Sequence, residues 1–446
     1  MKKNKICVIS AVVSAIMLAS SASTFAKFDA YNDPDGFTLG HYEAEVNQEQ
    51  RDETEKLYEQ RPKNERQFEN LSRGLVAVPG ENGTLVSWRF LGTDSNSLAY
   101  NLYCNGEKLN DEPITTTNFF HTGASANAEY TLKEVENGEE TGVEYTTTAW
   151  DKNYIGFKVT EREGYNIDDG AVADLDGDGE YEILLRRVPS MDVNTRTSYP
   201  VIEAYKTDGT HMWTIDIGPN EINEVDINFL AYDMDGDGKA EVIMRSFEGT
   251  TDGKGNTIGD TNGDGITDYS KSESNLAIFK DRQYIVSTPE FLSIYDGETG
   301  EETDRTDLKP SKEPLSDWSY RYSDTGRLTK RASHYLFGLA YLDGVTPSVV
   351  MVRGAWDNVR AAAWHIEDGK FKEDWVHNTE NKDDVNSIWG ACNHNLVTVD
   401  VDFDGKDEIL SGPMAIDHDG SEMYAVKAYD NDGNAQKLAH GDAFDV

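Results

Sequence analysis

The stretch ADLDGDGEYEILLRR, running from Ala173 to Arg187, decides how the rest of the chain reads. Asp174, Asp176, Asp178 and Glu182 follow the spacing D-x-D-G-D-G-x-x-E, and Glu180 offers a backbone carbonyl between them. Hard oxygen donors at alternate positions, with glycines permitting a tight wrap, are what Ca2+ demands. An EF-hand would need a bidentate acid at its twelfth position, which here is Leu185. The flanks GAVAD and EILLR read as strands, so the loop joins strands and its first expected task is to fix their geometry.

The same spacing returns three times. Asp233, Asp235, Asp237 and Glu241 repeat it with Lys239 at the carbonyl position; Asp260, Asn262, Asp264 and Asp268 repeat it with Ile266 there; Asp400, Asp402, Asp404 and Glu408 repeat it with Lys406 there. One match is weak, whereas four in one chain predict several Ca2+ sites.

Around these loops, short apolar runs rich in Val, Ile, Tyr and Trp are closed by Asp-Gly or Gly turns, as in AYKTDGTHMW, SIYDGETG and AAWHIEDGKFKEDW. A strand, turn and aromatic unit recurring over a few hundred residues predicts an all-β chain, read as a β-propeller of four-stranded blades from 68 to 446. A large β-sandwich is the competing reading. Residues 27–67 are polar and acidic without an apolar stripe and read as a linker or weakly ordered arm. Residues 1–26 carry Lys2, Lys3 and Lys5, then an apolar run, then small residues, the order of a secretory signal. No segment is long and apolar enough to predict a membrane span, so a secreted, extracellular monomer is expected. Cys7 falls in the signal, and Cys104 and Cys392 are expected as buried free thiols.

With 82 acidic against 41 basic side chains, a formal net charge of -41, nucleic acid is excluded as a partner. An acidic polymer would also be repelled unless local cations offset the field.

RQFENLSRGLVAV, the following GTLVSWRFLGTDSNSLAYNLYCNGEKL, DLDGDGEYEILL, YDMDGDGKAEVIM, STPEFLSIYDGETG, LAYLDGVTPSVVMVRG, NHNLVTVDVDFDGKDEI and HGDAF appear in one order from Arg66 onward. Together they resemble the rhamnogalacturonan lyases of polysaccharide lyase family 11. The resemblance implies an eight-bladed, calcium-bearing propeller that cleaves a pectic polysaccharide, the rhamnogalacturonan backbone, by β-elimination next to galacturonate. Against that pattern this chain is expected to span about five or six blades and to be a fragment.

β-Elimination needs a cation on the uronate carboxylate and a base at carbon 5. Arg353, His394 and Arg187 are the candidate catalytic residues, and Asp168, Asp169, Trp356, Arg360 and His440 the candidate substrate contacts. Arg186 and Arg187 alternate along a strand, so at most one is expected to face a cleft. The chain departs from the family at this lining. Asp168-Asp169 stands where Asn-Asp is usual, Arg186-Arg187-Val188-Pro189 where Lys-Trp-Asp-Pro is usual, and PNEINEVDINF lacks the usual basic segment. The alternative function is therefore a non-catalytic, calcium-stabilised polysaccharide-binding or adhesion propeller.

Overall fold

The computed structural model describes residues 48–437 apart from 63, 124–126, 190–197, 222–227, 281, 320–321, 355–356, 380–383, 385–386, 393 and 430–434. The expected signal 1–26, Trp356 and His440 lie outside the described residues.

Two bodies of β structure follow a short helix, α1 (Gln48–Gln60). The first body has strands β1 (Val76–Gly80), β2 (Gly83–Ser87), β3 (Ala99–Cys104), β4 (Glu107–Lys108), β5 (Asn118–Thr122), β6 (Glu129–Glu136) and β7 (Glu139–Thr148). They form two sheets, in the orders β1-β2-β5 and β4-β3-β6-β7, around a core of Val86, Trp88, Tyr100, Leu102, Tyr130 and Leu132. This corrects the expectation of a single run of repeated units from residue 68, because these sheets bury their apolar faces against each other.

The repeated units begin after it. The first sheet is β8 (Tyr165–Ala173), β9 (Glu182–Pro189), β10 (Val201–Tyr205) and β11 (His211–Asp216). The second is β12 (Phe229–Tyr232), β13 (Glu241–Phe247), β16 (Glu290–Tyr295) and β17 (Glu302–Asp307), with a hairpin, β14 (Leu276–Phe279) and β15 (Arg282–Ile285), inside its middle connection. After helix α2 (Thr325–Ser333), the third is β18 (Tyr335–Ala340), β19 (Ser348–Arg353), β20 (Arg360–Glu367) and β21 (Lys370–Asn378). The fourth is β22 (Val397–Val399), β23 (Glu408–Ser411), β24 (Met414–Ile416) and β25 (Glu422–Ala425), followed by a hairpin of β26 (Lys427–Tyr429) and β27 (Ala435–Lys437). Each of the four is antiparallel with its strands in chain order. Four such sheets, fewer than the five or six expected, stand among the described residues.

The middle of the second strand in the second and third sheets is apolar because both faces are covered. Val242 and Met244 of β13 pack with Leu184, Ile202 and Trp213 of the first sheet, while Ile243 between them packs with Val349 and Met351 of the third. Val350 and Val352 in turn pack with Ile409, Met414 and Ile416 of the fourth. Consecutive residues of one strand thus serve opposite neighbours, as the alternation of side chains across a strand requires. Each such fully buried side chain contributes roughly 1.5–3 kcal/mol. A latch repeats as well. Trp213 of β11 donates Nε1–H to Gly297 O, 2.7 Å, in the hairpin turn of the second sheet, and Trp375 of β21 donates to His418 O, 3.0 Å, in that of the fourth. Gly300 and Gly420 lie against these indoles so closely that a Cβ at either would meet the ring within 2.8 Å.

The arm is the clearest difference from expectation. Tyr58 meets Phe403 edge-on at 6.0 Å, Asn64 Nδ2 donates to Gly405 O at 2.9 Å, and Arg66 forms a two-pronged pair with Asp407 at 3.2 and 2.8 Å. Gln67 N donates to Val345 O at 2.9 Å and Gln67 Nε2 to Asp233 O at 3.3 Å, and Ser72 N reaches Gly179 O at 2.8 Å. The segment is a strap across the turns of the fourth, third, second and first repeated sheets in that order. Polar hydrogen bonds hold it, so it shows no apolar periodicity to read.

Candidate functional site

Antiparallel order gives every repeated sheet two unlike ends. One carries the turn between the first and second strands and that between the third and fourth; the other carries the middle connection and the passage to the next sheet. The acidic loops Asp174–Glu182, Asp233–Glu241 and Asp400–Glu408 all occupy the turn end, between first and second strands. The longer connections, including 217–228, 248–289, 308–334 and 379–396, occupy the other.

At the turn end the sequence expectation of a wrapped loop is met atom by atom. Asp174 accepts from the N–H groups of Gly177 (2.8 Å), Asp178 (3.1 Å) and Gly179 (2.8 Å), and Glu182 accepts from Leu175 N at 2.8 Å. Asp233 accepts from Gly236 and Gly238 at 2.7 and 3.0 Å, and Glu241 from Met234 N at 2.8 Å. Asp400 accepts from Gly405 at 3.1 Å and Glu408 from Val401 N at 2.7 Å. The N–H groups of Glu180, Lys239, Ile266 and Lys406 all donate to the fifth-position aspartate, Asp178, Asp237, Asp264 and Asp404, at 2.9, 2.8, 2.7 and 2.9 Å. Glycine occupies the left-handed positions Gly177, Gly179, Gly236 and Gly238, but the fourth loop places Phe403 there at φ 63°.

These loops fit a divalent cation. One oxygen from each of Asp174, Asp176 and Asp178 lies within 4.8 Å of the others, as for Asp233, Asp235 and Glu241 and for Asp400, Asp402 and Asp404. Buried oxygens without a hydrogen-bond donor remain in two of them: Asp176 Oδ1, Asp400 Oδ1 and Glu408 Oε1. Burial pushes the Glu241 carboxyl up to about 8, with Asp235 and Asp233 adding to it, and the Glu408 carboxyl up to about 9, with Asp402 and Asp404 adding to it. Converged acids that strain toward protonation are what a bound cation would relieve. In the first loop an internal ammonium is also present, as Lys206 Nζ pairs with Asp176 Oδ2. The third loop, inside the long β13–β16 connection, wraps Asp260 in the same way, but Asp268 turns to Ser270 N at 3.1 Å and Lys271 Nζ at 2.8 Å.

The connection end holds the candidate catalytic residues. Arg353 is 0% exposed. Its guanidinium donates to Ala332 O, to Pro310 O at 2.9 Å and to Glu290 Oε2 at 2.7 Å, so the expected catalytic residue is corrected to a buried tie between strand ends. Arg187 is likewise buried and donates to Glu203 Oε2 at 2.9 Å and Thr160 O at 2.7 Å. Neither guanidinium faces a cleft, because each is the partner of a buried carboxylate. Arg186 is served by a bulge in β8 between Ile167 and Asp169, which aims Asp168 at it. Nε donates to Asp168 Oδ2 at 2.9 Å, and Asp169 lies 3.7 Å away. Asp168 and Asp169 remain open, 38% and 58% exposed. His394 is exposed and its ring meets that of His334 at 5.4 Å. Arg360 pairs with Asp317 at 2.9 Å and lies over the Trp318 ring at 4.8 Å. Val188, where the family resemblance implies an aspartate, is buried.

Sequence reading missed a buried charge cluster behind this end. Arg245 pairs with Glu221 and lies 3.4 Å from Glu290, and Lys312 donates Nζ–H to Ile285 O. Burial, with Arg353 and Arg245 beside it, pushes the Lys312 ammonium down to about 8. The cluster lines a cavity of about 20 Å³, and an open depression of about 390 Å³ lies at Tyr199, Ser270, Lys271 and Gln283. No spacing rule connects residues as far apart as Glu221, Glu290 and Arg353; only the shared end of three sheets does. His418, described below, was missed although the turns YKTDG, YDGETG and IDHDG occupy equivalent places in three sheets.

Among the described residues no helix is long and apolar enough to cross a membrane, and Cys104 and Cys392 are buried without a disulfide.

Comparison with known proteins gives this architecture relatives. Residues 156–444 match the model of the rhamnogalacturonan lyase family 11 C-terminal domain, and residues 66–150 that of the rhamnogalacturonan I lyase beta-sheet domain. The chain is 38% identical to rhamnogalacturonan endolyase YesW and to rhamnogalacturonan exolyase YesX, both of Bacillus subtilis (strain 168), over 85% of its own length. It spans 58% and 60% of the length of these relatives. The crystal structures of YesX and YesW superpose on 81% of the chain with a TM-score of 0.70, covering 59% and 61% of those chains, and the lyase of Bacillus licheniformis does so at 0.69. The boundary between the two matches falls between β7 and β8, where the sheet architecture changes, and the match to the family 11 C-terminal domain extends over all four repeated sheets. The chain belongs to rhamnogalacturonan lyase family 11.

Proposed function

We propose that this chain acts outside the cell as a calcium-dependent rhamnogalacturonan lyase, with its four repeated sheets as successive blades of a β-propeller. The observation that carries the reading is the division of ends in a member of this family: cation-fitted turns at one end, exposed Asp168, Asp169 and His394 at the other. In the proposed reaction a base takes the proton from carbon 5 of galacturonate, the carbon 4 to oxygen bond breaks, a double bond forms between the two carbons, and the departing oxygen is protonated. A cation would neutralise the uronate carboxylate, and Asp168 and Asp169, beside Arg186, are assigned as substrate contacts. The exposed imidazole of His394 is the group of this chain suited to accept the proton, and Arg360, with Trp356 and His440, is assigned to hold the sugar. Arg187 and Arg353 hold the strand ends.

Burial of those two arginines also supports the alternative, a calcium-stabilised polysaccharide-binding propeller. The test is to add the purified chain to rhamnogalacturonan with Ca2+, and again with chelator, while following the ultraviolet absorbance of an unsaturated uronate. A calcium-dependent rise that His394→Ala abolishes is expected. Binding of the polymer without any rise, from folded protein, overturns the lyase reading in favour of the binding one.

A further inference from the structure

The fourth acidic loop differs from the first two in what the neighbouring hairpin turn brings to it. In the first sheet the residue following β10 is Lys206, whose ammonium pairs with Asp176. In the fourth, the residues following β24 are Asp417 and His418. His418 turns its Nδ1 into the acid cluster, 2.7 Å from Asp417 Oδ1, 3.5 Å from Asp404 Oδ2 and 3.9 Å from Glu408 Oε1. Asp404, Glu408 and His418 each offer a ligand atom within 4.8 Å of the other two.

Two observations separate this cluster from an ordinary acidic loop. Glu408 is 0% exposed, and while Oε2 accepts from Val401 N, Oε1 faces His418 with no hydrogen-bond partner. The backbone of His418 is also fixed, because its carbonyl accepts the Trp375 indole N–H at 3.0 Å, which holds the ring over the loop. Separations of 3.5 and 3.9 Å are too long for hydrogen bonds but are the ligand-to-ligand edges of a shell whose bonds are about 2.0–2.6 Å.

We propose that the fourth loop is a mixed carboxylate and imidazole metal centre, in which His418 Nδ1 joins Asp404 and Glu408 on one ion. An imidazole donor suits borderline transition ions, whereas shells of oxygen alone suit Ca2+. The centre therefore holds a divalent first-row transition ion in preference to Ca2+, with Mn2+ as its paramagnetic probe, while the first and second loops, which present only oxygen donors, prefer Ca2+. This ligation breaks two contacts, that of Lys406 Nζ, 3.0 Å from His418 Nε2, since Nε2 then carries the ring proton, and that of His418 Nδ1 with Asp417 Oδ1 at 2.7 Å, since Nδ1 then carries none. The inference rests on reading these loops as cation sites, and the test separates the two claims.

The experiment is pulsed electron paramagnetic resonance on untagged, chelator-treated, full-length protein loaded with one equivalent of Mn2+ in the presence of excess Ca2+. Modulation from a directly bound nitrogen is expected in the wild type and is lost in His418→Gln, with Mn2+ affinity lower by roughly 10-fold or more, the scale on which lost partners weaken metal sites. Lys406→Ala retains the modulation and binds Mn2+ at least as tightly. Mn2+ bound without nitrogen coupling, or coupling that survives His418→Gln in folded protein, overturns the assignment of His418 while leaving the loops as cation sites. Failure of both Mn2+ and Ca2+ to bind overturns both claims.

Discussion

The two ends of the repeated sheets were built under different rules. At the turn end the first, second and fourth sheets repeat one another to the level of single hydrogen bonds, from the fifth-position aspartate to the backbone N–H two residues on. At the connection end, among the described residues, no loop motif recurs, and buried charge is settled by strand-end arginines on different carboxylates, as in Arg353 with Glu290 and Arg187 with Glu203. A scaffold can be copied from sheet to sheet, whereas a reaction site must be made once, so irregularity and unusual charge concentrate where chemistry is expected.

The sharpest way to break this contrast is at Arg353. Replacement by Met leaves Glu290 buried with weaker cation support, and the expected cost is about 3–5 kcal/mol in urea unfolding, as for other buried pairs that lose one partner. A cost near zero would return Arg353 to the solvent-facing role it has lost here.

Next in size is the cation itself. At a hundredfold excess over its dissociation constant, Ca2+ should stabilise the chelated protein by about 2.7 kcal/mol for each occupied loop, and Asp233→Asn should remove one such increment. Without metal, pH acts in a defined direction. Burial raises the carboxyls of Glu241 and Glu408 to about 8 and about 9 from an ordinary value of 4.5, so in the folded state they bind protons more tightly than in the unfolded chain. Their contribution is complete below about pH 4.5 and is lost as pH rises through about 8 to 9. The melting temperature of metal-free protein should fall across that window, and saturation with Ca2+ should abolish the fall.

Smaller effects test the copied end. Trp375→Phe removes the hydrogen bond to His418 O while keeping most of the packing, at an expected cost of about 0.5–1.5 kcal/mol, and Trp213→Phe should match it if the latches are equivalent. Phe403→Gly relieves a left-handed backbone worth roughly 1–2 kcal/mol but gives up the contact with Tyr58, so a net gain below about 1 kcal/mol is expected in thermal unfolding.

These contrasts also explain which parts were legible from sequence. Acidic loops were, because calcium-type spacing is local and ligand order follows chain order. The strands were, because β13 and β19 serve two neighbours and so read as unbroken apolar runs. Arg353 and Arg187 were read as candidate catalytic residues because a strand-end arginine has the same sequence signature whether it meets solvent or a carboxylate from another connection. The strap from Tyr58 to Ser72 was invisible because its partners are backbone carbonyls and an aspartate more than a hundred residues away.

That strap sets the order in which the molecule can finish folding. Arg66 and Asp407 are separated by 341 positions, and Asn64 and Gly405 by the same number. The segment leaves the ribosome before the body it binds, and every surface it rests on is synthesised later, the last of them in the fourth sheet. Closing so long a loop costs entropy that only completed loops can repay. The segment 58–72 is therefore the last piece to dock, a seam that closes over four sheets only when all of them are in place.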